Sequence, residues 1–134
     1  MKQDIITTEV TNVIVAIIPR EGGLTEELWD TYLINLRDDP MENVLITSQG
    51  YGEIEGRDKT TTVLRHFHQM VGANAFLKVE PIQTELFGIQ NEYWISFNDG
   101  EQMLDKKFIF KAGQISEEAM EEVPLVGRKG VMIQ

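Results

Sequence analysis

The sequence predicts an all-β domain folded as an antiparallel sandwich. Short apolar runs rich in β-branched residues recur along the chain, turn residues separate them, and no helical stretch is long enough for a parallel crossover. At 134 residues the chain has the size of one domain, and folding at that length buries roughly two-thirds of the unfolded surface. A single domain over residues 1–134 with one self-sufficient core is therefore expected.

The first strand is expected over Glu9 to Ile18. Its two faces are Val13, Val15, Ile17 and Ile14, Ala16, Ile18, so neither is polar, as a half-solvated strand would require. One face meets the core; the other is covered by the C-terminal residues Val131 to Ile133 or by a second molecule. Ile14, Ala16 and Ile18 are thus the candidate interface residues. Pro19, Gly22 and Gly23 end the strand, and Leu24 to Trp29 suits a short helical turn with Thr25 as its cap.

Trp29 to Arg37 alternates as a second strand. The Asp38, Asp39, Pro40 cluster then reads as a hairpin turn into a third strand over Glu42 to Gln49. Gly50 to Thr60 reads as a glycine-rich charged loop, and Thr61 to His68 as a fourth strand with Val63 and Phe67 facing inward. Strands follow at Ala75 to Ile82, Glu92 to Asn98 and Lys106 to Ala112, the last two joined by the hairpin signal Asn98, Asp99, Gly100. Ser116, Glu117 and Glu118 start a short C-terminal helical turn. About seven strands at this spacing point to a sandwich of the immunoglobulin or fibronectin type, without its usual cysteine pair, and a partly open barrel is the alternative closure.

Composition narrows the functional classes. A net charge of −10, from 22 acidic and 12 basic side chains, opposes nucleic acid and anionic membrane surfaces as partners. Cysteine is absent, which removes disulfides, thiolate metal sites and thiol nucleophiles and points to the cytoplasm. Val13 to Ile18 is too short an apolar run for a signal peptide or membrane helix.

His66 and His68 are the only histidines, and their spacing of two places both rings on one face of a strand, the arrangement of a weak metal-site candidate. A site needs a third ligand, and the commoner fate of such a pair is a solvated face. The glycines Gly50, Gly52 and Gly56 before Lys59 and Thr60 match neither the dinucleotide fingerprint nor the phosphate loop, and β-forming residues follow them instead of a helix. The carboxylate pairs Glu53, Glu55 and Glu117, Glu118 have no cleft assigned to them, and Ser48, Ser96 and Ser116 lack a nucleophile-elbow context. Trp29, Trp94, Tyr32, Tyr93 and Phe97 fit strand packing better than a binding surface. No cofactor is expected.

The segments WDTYLINLRDDPMENVLITSQGYG, TTTVLRHFHQ and DKKFIFKAGQISEEAMEEVPLVGRKGV resemble a family of short uncharacterised Bacteroidetes proteins, and the likeness covers most of the chain. Some members carry the label phenylalanyl-tRNA synthetase alpha subunit, although a synthetase core needs far more chain and sites for ATP and tRNA. The resemblance implies a domain type and a bacterial cytoplasmic setting, with no catalytic residues assigned. The sequence therefore favours a non-catalytic protein-interaction module whose partner is another protein or a second copy. A small-ligand carrier, or an enzyme with its site at His66 and His68, is the alternative.

Overall fold

Valine, isoleucine, threonine and aromatic side chains fill the strands of this chain, as their stiff, branched shapes suit a pleated, half-buried surface. The computed structural model describes residues 8–21 and 28–134. The expected helical turn at Leu24 lies outside these residues, except that Leu28 and Trp29 open a strand. Ten strands are described: β1 Val13–Pro19, β2 Leu28–Asn35, β3 Met41–Ile54, β4 Arg57–Thr60, β5 Leu64–Val71, β6 Ala75–Gln83, β7 Gln90–Asp99, β8 Gln102–Phe110, β9 Glu121–Val123 and β10 Arg128–Ile133. The C-terminal helix reduces to one 3-10 turn, Glu117–Ala119, and a second such turn, Thr84–Gly88, links β6 to β7.

Two five-stranded sheets result, and every pairing in them is antiparallel. The first sheet runs β6-β2-β1-β10-β9. In the second, β3 lies between β7, which continues to β8, and an edge formed by both β4 and β5. The fold is thus sandwich-like, not a barrel. The strand count exceeds the expected seven by three: the C-terminal segment forms β9 and β10, and the presumed loop Gly50 to Thr60 is itself a hairpin, which adds β4. Here β3 continues to Ile54 and turns through Glu55 and Gly56, both at positive φ, into β4.

Two further expectations are corrected. β2 and β3 do not form a hairpin, since they belong to different sheets and the Asp38 to Pro40 turn carries the chain between them. Asn35, fully buried, fixes this crossing: its Nδ2 donates to the carbonyls of Asp39 and Gly72 at 3.0 Å, and its Oδ1 accepts from the Arg37 amide. On β5 the phase is opposite to the expected one, for Phe67 faces outward and is 62% exposed. Its register partner Leu45 is outward too, while His66 and His68 pair with the buried Ile46 and Val44.

Both faces of β1 are buried, as its sequence requires. Val13, Val15 and Ile17 enter the core between the sheets with Leu33, Ile46, Ile95, Phe108 and Val131. Ile14, Ala16 and Ile18 are also buried, in a second cluster with Tyr32, Ile34 and Val123, flanked by Leu36, Val126 and Met132. Of the two covers expected for this face, the C-terminal residues Val131 to Ile133 or a second molecule, the former form β10 beside β1, where Val131 joins the inner core and Met132 the outer cluster. The proposed interface residues are therefore core residues of the second cluster.

β10 approaches β1 so closely at Gly130 that a Cβ there would stand 2.7 Å from the Ile17 carbonyl oxygen and 2.6 Å from an Ile18 side-chain carbon. Backbone cannot step aside as a flexible side chain can. We predict that Gly130→Ala lowers stability by about 1–3 kcal/mol, measured by urea denaturation; an unchanged midpoint would show that the contact is not close-packed.

Candidate functional site

The site begins with a β-bulge. Along β6, strict alternation from Leu77 would turn Val79 and Pro81 inward and Glu80 outward. The pairing with β2 shifts, however: Tyr32 faces Lys78 whereas Thr31 faces Glu80, which leaves Val79 as the extra residue. Beyond the bulge Glu80 and Ile82 point between the sheets, and Glu80 is only 9% exposed. Bulges re-aim side chains in this way, and an edge strand such as β6 also tolerates Pro81.

A buried carboxylate requires donors, and the second sheet supplies them. Ser48 Oγ on β3 lies 2.9 Å from one Glu80 oxygen and 3.0 Å from the other, and His66 Nε2 on β5 lies 2.7 Å from Oε1. Beside them Tyr93 Oη and Thr31 Oγ1, 3.0 Å apart, make a second polar bridge between the sheets. Burial pushes the Tyr93 phenol above its ordinary range; the hydrogen bond with Thr31 opposes the shift and the nearby Glu80 carboxylate adds to it. Tyr93 is accordingly a neutral hydroxyl group at any physiological pH.

These groups stand in a cleft of about 470 Å3. Its opening follows from the edge of the second sheet, where β5 pairs with β3 as far as Ser48 and β4 takes over at Tyr51. Across the gap, Gly50 and Thr61 tie the chain together: the Gly50 amide donates to Thr61 Oγ1 at 2.7 Å, and the Thr61 amide to the Gly50 carbonyl at 2.8 Å. A side chain at Gly50 would press on Asn91 Oδ1 at 2.9 Å and on Ile89 and Thr61, so glycine keeps this wall thin. Ser48, Glu80 and Tyr93 are polar lining groups, and Leu28, Leu64, Ile82 and Leu86 are apolar ones.

His66 thus belongs to an inward-facing contact and not to the solvated face expected for it. His68 shares that side of the strand. Among the described residues no group of three or more histidine, aspartate or glutamate side chains is placed to hold a metal ion. Of the other sequence candidates, Ser48 and Tyr93 enter the site, whereas Trp94 lies 48% exposed on the outer face of the second sheet with Lys107 Nζ 5.0 Å from its ring centroid. Sequence reasoning missed Glu80 altogether. The available signal was Pro81, because a proline inside a strand marks an edge or a bulge, after which the alternation cannot be extrapolated.

On the rim, Glu92 accepts a hydrogen bond from the Tyr51 hydroxyl and another from Gln90 at 3.0 Å, and Lys107 lies 3.6 Å away. The Tyr51 bond is the main reason the Glu92 carboxyl is held below its ordinary value of 4.5. A depressed carboxyl stabilises the fold above its unfolded value and loses that contribution as pH falls through the folded one. Tyr51→Phe should therefore raise the Glu92 titration midpoint towards 4.5, read by side-chain carboxyl NMR; an unmoved midpoint would assign the depression to Lys107 and Gln90.

No helix among the described residues is long and apolar enough to cross a membrane. No protein-family model matches the sequence, and no curated protein matches it.

Proposed function

We propose that this protein is a non-catalytic binding domain that takes a small molecule in the cleft beside Glu80. The observation that carries this reading is a carboxylate turned inward by a bulge onto the wall of a 470 Å3 cleft. Clefts of that size, apolar with a few convergent polar groups, are the usual form of small-molecule sites. The donors support binding over catalysis. Glu80 stands between Ser48 and His66, so the order is serine, carboxylate, imidazole, and the imidazole is bonded to the carboxylate and not to the serine.

We also infer an immunoglobulin- or fibronectin-type sandwich. The neighbours β1, β2 and β6 in one sheet and β3, β7 and β8 in the other correspond to strands A, B, E and C, F, G of those folds, which supports the reading. The hairpin of β9 and β10 is then an addition beside strand A.

A second reading is a protein-interaction module, favoured by the outer face of the second sheet, where Phe67, Trp94 and Leu45 are exposed. NMR mapping of a neutral fragment library separates the two. We predict that amide shifts gather at Gln49, Gly50, Thr62 and Gln83 around the cleft and vanish in Thr62→Trp, which blocks the rim. Shifts confined to Phe67 and Trp94, or none at all, would contradict the carrier reading.

A further inference from the structure

We infer that the cleft selects a cationic ligand, one that seats a primary ammonium or amidinium group on Glu80 and lays an apolar body against Leu28, Leu64, Ile82 and Leu86. The inference rests on the reading of the cleft as a small-molecule site and adds the chemical class of its occupant.

Charge on the wall is the first argument. The ionisable side chains among the described lining residues are Glu80, Glu92 and Tyr93, and none of the described lining residues is lysine, arginine or histidine. Tyr93 is held in its neutral form, as shown above. An anion would meet the Glu80 carboxylate, whose basic neighbour His66 is already bonded to it, with no lysine or arginine in the described lining and inside a protein of net charge −10. In a partly desolvated site that repulsion costs far more than it would in water.

Hydrogen-bonding capacity is the second. A carboxylate offers about four lone-pair sites. Ser48 has a single hydroxyl hydrogen to share between its two contacts, and His66 serves Oε1. Oε2 therefore retains acceptor capacity, and a carboxylate can use it only for a donor. A cationic donor gains most, because charge-assisted hydrogen bonds are roughly twice as strong as neutral ones. Glu92 is a poorer anchor, since Tyr51, Gln90 and Lys107 already engage it.

Size and polarity complete the description. A bare metal ion would leave most of the 470 Å3 empty and the aliphatic wall unused. An amine with a hydrocarbon or aromatic body fills both.

The test compares three probes of similar shape: 2-phenylethylammonium, 2-phenylethanol and phenylacetate, titrated into the full chain at neutral pH by calorimetry and by amide NMR. The ammonium should bind at the cleft at least about tenfold more tightly than the alcohol, and phenylacetate should not bind there. Glu80→Gln should abolish the preference for the ammonium while leaving the alcohol bound. Alcohol or phenylacetate binding at the cleft as tightly as the ammonium would overturn the charge selection and leave the small-molecule reading standing. Absence of cleft shifts with all three probes would overturn both. The comparison on the natural chain decides the matter even if Glu80→Gln fails to fold.

Discussion

A single carboxylate buried between two sheets sets the geometry of one half of this molecule. Glu80 gives up most of its hydration, and an unpaired charge there would cost several kcal/mol, so the surrounding chain must be arranged to supply donors. The bulge in β6 turns the side chain inward, and Ser48 and His66 on neighbouring strands meet it. Those strands part just beyond Ser48, where β5 gives way to β4, and the parting opens the cleft. Stability and access to the carboxylate thus come from the same local arrangement: Ser48 both holds Glu80 and lines the cleft beside it, and His66 holds it from β5.

The remainder of the fold has a different logic. β1 is apolar on both faces, and the chain satisfies it twice, with the core between the sheets and with a second cluster under Val123, Val126 and Met132. Gly130 permits that closeness. A strand that the sequence left open to a partner is thereby buried within its own chain, and the exposed apolar side chains Leu45, Phe67, Trp94 and Ile109 lie together on the outer face of the other sheet. That distribution moves interest from β1 to the cleft and to the face bearing Phe67 and Trp94.

Much of the architecture is legible in the amino-acid order because period-two alternation and turn chemistry are local properties. The strands at Val13, Trp29, Ala75 and Glu92 follow from them, as does the hairpin at Asn98 to Gly100. Which sheet a strand joins is a long-range property, and the pairing of β2 with β6 across the intervening strands leaves no local trace. The site was hidden for a sharper reason. Its principal residue sits one position beyond a bulge, where alternation assigns Glu80 to solvent, and its histidine lies on a strand whose outward Phe67 inverts the expected phase. Pro81 was the one local sign that the pattern breaks.

The account depends on Ser48 and Glu80 acting as one unit across the two sheets, and a double-mutant cycle in urea denaturation measures that coupling directly. Ser48→Ala should cost about 1.5–3 kcal/mol in the natural chain, the range for a hydrogen bond to a charged group, and under about 0.5 kcal/mol in the Glu80→Leu background. Equal costs in the two backgrounds would show that the serine does not hold the carboxylate, and would contradict the arrangement on which the cleft chemistry rests.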